Sequence, residues 1–124
     1  MTAKTNTVTI YGIKNCDTMK KAFAWLNENN IPYEFHDYKK SGAPQAILAD
    51  WVEQLGWETV VNRKGTTWRK LDESVRNTMD EHSAIATMVA QPSLIKRPIL
   101  IKGHQILAGF AAEQWQAFFA SNAH

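Results

Sequence analysis

The sequence predicts an α/β fold: a mixed four-stranded sheet with helices on its faces and a helical insertion between two halves. Three observations predict it. Val8 to Tyr38 reads as strand, helix and strand within about 30 residues, the length of a parallel βαβ unit. Residues 44–91 carry apolar spacings of helical type. Ile99-Leu100-Ile101 and Ile106-Leu107-Ala108 flank the turn Lys102-Gly103-His104-Gln105, and an amphipathic helix follows them, making a C-terminal ββα unit.

Taken in order, Val8-Thr9-Ile10-Tyr11 is a β-branched and aromatic run that Gly12 ends. Apolar residues at Met19, Ala22, Phe23 and Leu26 form the stripe of a packed helix, which Asn27-Glu28-Asn29-Asn30 closes. Ile31 to Tyr38 is the second strand, interrupted early by Pro32. Lys39 to Pro44 is a turn-rich break, with Pro44 suited to a helix start. Ile47, Leu48, Trp51, Val52 and Leu55 mark an amphipathic helix ended by Gly56. A basic, glycine-containing loop spans Asn62 to Arg69, and its Trp68 is a candidate to line a ligand cleft. Leu71, Val75 and Met79 predict a short helix, and Ile85, Met88 and Val89 another that stops before Pro92. Ala111, Trp115, Phe118 and Phe119 give the closing helix its apolar face.

The chain of 124 residues is long enough for one domain with a real core. Residues 1–124 are accordingly read as a single domain, its core in 7–40 and 92–120 and its insertion in 44–91. The apolar fraction of 44% belongs to an ordinary soluble protein, and no apolar run approaches the roughly 20 residues that cross a bilayer. No signal-peptide pattern opens the chain. A single cysteine excludes a disulfide framework and multi-cysteine zinc sites, so a reducing cytoplasm is the expected location. The net charge of +2 is too small to predict nucleic-acid binding. His36, His82, His104 and His124 show no metal-ligand spacing, and no metal is expected.

The lone Cys16 falls where the first loop meets the first helix, beside N–H groups with no intrahelical partner. Such a position favours the thiolate, the nucleophilic form. Its neighbours Asn15, Asp17 and Thr18, with Lys14 and Lys20 nearby, are not a core environment. Lys14, Lys20, Lys21, Arg63, Lys64, Arg69, Lys96 and Arg97 lie in three segments that this fold can bring toward Cys16. Asn15 and Thr18 can donate hydrogen bonds to the sulfur or a ligand, or serve as loop-closing and helix-start residues.

Three stretches carry a family resemblance: Tyr11 to Lys21 around Cys16, Asn62 to Leu71, and Pro92 to Leu100. Spread over most of the chain and in family order, they resemble the arsenate reductase (ArsC)/Spx family, and within it the small YffB-like proteins described as glutathione-dependent thiol reductases. The resemblance implies a thioredoxin-like fold, with Cys16 as nucleophile and Arg97 binding an anionic substrate. It also implies a cis peptide before Pro98, which sets backbone groups beside the sulfur. Arsenate reductases of the family use three arginines; here only Arg97 matches. Asn62 stands at the first place, next to Arg63, and the third falls near Gly109 or Phe110. Met19 occupies the position of the second cysteine of Spx-type regulators.

The resemblance therefore implies a monothiol reductase with no bound cofactor, using glutathione or another small thiol as co-substrate. Lys14, Arg63, Lys64 and Arg97 would line its anion-binding cleft. Arsenate reduction and a non-enzymatic, Spx-like contact with the RNA polymerase α subunit are the alternatives; neither direct nucleic-acid binding nor a membrane is expected.

Overall fold

The structure, a computed structural model, describes residues 8–14 and 16–121. Its sheet runs in the order β2-β1-β3-β4, from β1 (Val8–Gly12), β2 (Tyr33–Asp37), β3 (Ile99–Lys102) and β4 (Gln105–Ala108). β1 pairs parallel with β2 and antiparallel with β3, and β3 and β4 form an antiparallel hairpin. This is the mixed, thioredoxin-like arrangement the sequence predicts. Strand alternation divides the core in two. Val8 and Ile10 of β1 and Leu100 of β3 pack with Met19, Ala22 and Leu26 of α1 (Asp17–Glu28) and with Trp115 of the closing helix. Ile99 is buried on the opposite face, with Tyr11 and Ile101 against the helices that lie between β2 and β3.

Those helices begin earlier than predicted. Tyr38–Ser41 forms a helical turn, α2, because the Asp37 carboxylate caps it by accepting from the Lys39 N–H at 2.9 Å. Gly42, at φ 67°, ends it in the left-handed region. β2 is consequently shorter than the Ile31–Tyr38 run. α3 (Gln45–Leu55) follows as predicted and stops at Gly56. The stretch read as a basic loop is half helical: α4 (Trp57–Val60) and α5 (Thr66–Lys70) bracket a turn. Trp68 on α5 packs against the core. α6 (Glu73–Asn77) leaves Leu71 and Met79 as its flanks, and α7 (Glu81–Ala90) is opened by a capping box between Asp80 and Ser83. Val75 and Val89, two of the apolar residues whose spacing predicts these helices, are exposed. A 3-10 turn, Pro92–Leu94, leads into β3, and α8 (Ala112–Ser121) closes the chain over the α1 side.

One contact positions the site. Val61 and Ile95 form an isolated antiparallel bridge: Asn62 N donates to Leu94 O and Lys96 N to Val60 O, both at 2.8 Å. It ties the α4–α5 turn to the segment just before β3.

Candidate active site

Cys16 is half-buried at the N-cap position of α1, with an extended backbone (φ −135°, ψ 131°). Lys20 N donates to its carbonyl at 3.0 Å, so the helix begins immediately behind the sulfur. As a thiol it caps no N–H with full hydrogen-bond geometry. Burial pushes the thiol pKa up; the Met19 N–H, the Arg97 guanidinium and the Thr18 N–H outweigh it, and the net effect lowers the pKa. The Arg97 contribution combines a hydrogen bond with its charge. That balance is what a helix start and one cation produce together.

Cys16 opens into a cleft of about 480 Å³ with four walls. Cys16 and Thr18 come from the start of α1, Asn62 and Lys64 from the α4–α5 turn, Lys96 and Arg97 from the segment before β3, and Gly109 and Phe110 from the link to α8. The Arg97–Pro98 peptide is cis, and Pro98 O accepts from Gly109 N at 2.8 Å. The Gly109 carbonyl in turn accepts from the indole N–H of fully buried Trp115 at 2.9 Å, which anchors that wall to the core.

Two predicted cleft residues stand elsewhere. Lys14 lines a separate groove of about 430 Å³, with Phe35 and Lys40, on the β2 side of the loop. Arg63 is turned out, its guanidinium 5.8 Å from the centroid of the Trp57 ring. Its neighbour Lys64 faces the cleft instead, because the Asn62 side chain accepts from the Lys64 N–H and shapes the turn. Lys96 joins it, and its place beside Arg97 in the sequence was the available signal. Trp68 is not among the lining residues. Asn15 lies outside the described residues.

The model of the ArsC family matches residues 11–118. The chain belongs to the ArsC family. The YFFB protein, a solved structure, is 51% identical, covers 89% of this chain and 96% of its own, and superposes with a TM-score of 0.85. An uncharacterized protein of Haemophilus influenzae is 45% identical over 113 residues, 91% of this chain and 99% of the relative. The Global transcriptional regulator Spx of Streptococcus mutans is 26% identical over 90% of this chain and 82% of its own. Against the ArsC-family pattern of three arginines, Asn62 and the Gly109-Phe110 pair do line the cleft, but Arg97 is the one guanidinium among the lining residues. Lys64 and Lys96 supply the remaining positive charge.

Proposed function

We propose that this ArsC-family protein is a monothiol thiol/disulfide reductase that uses glutathione as its reductant. The observation that carries this reading is a half-buried Cys16 at a helix start, facing Arg97, Lys64 and Lys96 across one cleft. The Cys16 thiolate attacks one sulfur of a disulfide, forms a mixed disulfide with that half and expels the other half as a thiolate. A glutathione thiolate then attacks the substrate sulfur of the mixed disulfide. Cys16 leaves as the thiolate, and the substrate half departs joined to glutathione; a second glutathione releases it as a thiol and forms glutathione disulfide. Two electrons pass from two glutathione molecules to one disulfide.

Several features support the cycle. Met19, buried in the core, stands where a resolving cysteine would, so an outside thiol must clear Cys16. Glutathione carries two carboxylates and a net negative charge, to which three cations on one cleft are complementary. A single guanidinium favours thiol exchange over arsenate reduction. Such a cycle needs a reducing compartment that supplies glutathione.

Incubation with glutathione disulfide followed by intact-mass spectrometry tests the reading. One glutathionyl adduct on Cys16, removed by free glutathione and absent from Cys16→Ser, is expected; no adduct overturns it. A second reading, an Spx-like contact with the RNA polymerase α subunit, is favoured by the similarity to the Streptococcus mutans regulator. Capture of that subunit by wild type and Cys16→Ser alike would support it.

A further inference from the structure

Arg97 is oriented by a turn of backbone: its Nη1 donates to the Ser93 carbonyl at 3.0 Å. Ser93 is the middle residue of the Pro92–Leu94 turn, and its hydroxyl lies 2.9 Å from the Thr67 hydroxyl on α5, in a part-buried setting. A threonine hydroxyl deeper in a helix commonly bonds back to the carbonyl four residues earlier, as Thr87 does to Ser83 O at 2.7 Å. Thr67 stands in the first turn of α5, where that helix offers no such carbonyl, and its hydroxyl reaches across to a residue 26 positions away. The turn is thus attached to the helical insertion twice, by main chain at Asn62–Leu94 and by hydroxyls at Thr67–Ser93.

We propose that Thr67 and Ser93 are positioning residues: their hydroxyl contact fixes the Pro92–Leu94 turn so that the Ser93 carbonyl aims the Arg97 guanidinium at Cys16. This rests on the reading of Cys16 as an activated thiolate. Arginine loses rotamer freedom when held in one geometry, and a fixed acceptor reduces what must be lost each time the thiolate forms. The other charged side chains near Cys16 are Asp17, next to it on α1, and Lys64 and Lys96, which line the same cleft; an Arg97→Met background separates an effect through them from one through Arg97.

The test is the pH dependence of Cys16 alkylation by iodoacetamide. The wild-type midpoint is expected below the ordinary thiol value of about 8.5. Thr67→Val, which keeps the shape and removes the hydroxyl, is expected to raise it by about half a unit, roughly threefold less thiolate near neutrality. Thr67→Ser should restore it. Ser93→Ala keeps the carbonyl and should reproduce the Thr67→Val shift, which also serves if Thr67→Val does not fold. In an Arg97→Met background, which raises the midpoint further, Thr67→Val should add nothing. An unshifted midpoint in Thr67→Val or Ser93→Ala, or an equal shift without Arg97, overturns the inference. A wild-type midpoint at or above the ordinary value overturns the thiolate reading itself.

Discussion

The main-chain N–H of Asn62 donates to the carbonyl of Leu94 at 2.8 Å, joining the helical insertion to the segment that carries Lys96 and Arg97. This bond explains why Lys64 and Lys96 share a cleft although 32 positions separate them in sequence. Against burial, the groups that lower the Cys16 thiol pKa are the Met19 N–H, Arg97 and the Thr18 N–H, so the two lysines are expected to act on a ligand more than on the thiol. Lys64→Glu and Lys96→Glu are each expected to lower kcat/KM for glutathione by roughly threefold to tenfold, about the scale of partly exposed charge pairs. Reaction with the neutral thiol 2-mercaptoethanol should change little. Steady-state rates with the two thiols, at low and high salt, check this; equal losses for both would remove the role in recognition.

Cys16 also makes stability depend on pH. Its native pKa is below the ordinary thiol value of about 8.5, so between the two values the unfolded chain binds more protons than the native one. The contribution is therefore absent below the native pKa, grows as pH rises, and is complete above about 9. Denaturant unfolding of wild type and Cys16→Ser from pH 6 to 10 should show the wild type gaining relative stability across that window. Parallel curves would deny the shift.

Tyr38 is fully buried, and its hydroxyl has no hydrogen-bond partner among the described residues. Burial first, then the neighbouring Tyr11, holds its pKa well above the usual 10.0, with Arg97 opposing. Leaving a buried hydroxyl unpaired costs about 1–3 kcal/mol. Tyr38→Phe removes that group while keeping the ring, and is expected to stabilise the protein by about 1 kcal/mol. The raised native pKa means that wild type loses stability as pH climbs past 10, when the unfolded tyrosine ionises first. Thermal melts at pH 7 and above pH 10 should show Tyr38→Phe gaining at both, and more at the higher pH.

Gly12 ends β1 directly beneath the first turn of α1. A Cβ there would overlap the Met19 Sδ and Cε, and Met19 is fully buried. Gly12→Ala is expected to cost about 1–3 kcal/mol as the methionine is forced out of its packing. Because Met19 also presents its N–H to the sulfur, the alkylation midpoint of Cys16 should rise with it. Urea unfolding and alkylation on the same variant test both effects.

Much of the fold was legible because its long elements announce themselves. The run before Gly12, the stripe through Leu26 and the hairpin around Gly103 each satisfy one periodicity over several residues. Most of the short helices did not: α2, α4 and α5 are four or five residues long, too brief for a 3.6-residue repeat to register, whereas α6 was signalled by the spacing of Leu71, Val75 and Met79. The start of α2 was signalled only by Asp37 as a cap. In the site, the place of Cys16 at a helix start was readable from its own neighbours, whereas Arg97 and the cis peptide before Pro98 were expected only from the family resemblance. The choice between Arg63 and Lys64 was not readable, because it depends on the conformation of the turn between α4 and α5, which the Asn62 side chain helps to shape. Lys14 illustrates the same limit: it is two residues from Cys16, yet the loop turns it to the other side of the β1–α1 link.

The Val61–Ile95 bridge has an evolutionary corollary. The sulfur is mounted on the sheet and its first helix, whereas the lysine opposite belongs to appended helices that pack on the other face and are bridged, main chain to main chain, to the segment before β3. Lengthening or reshuffling those helices would recast what enters the crevice while leaving the reacting atom undisturbed, so this architecture lets selectivity diverge among cousins that keep one common chemistry.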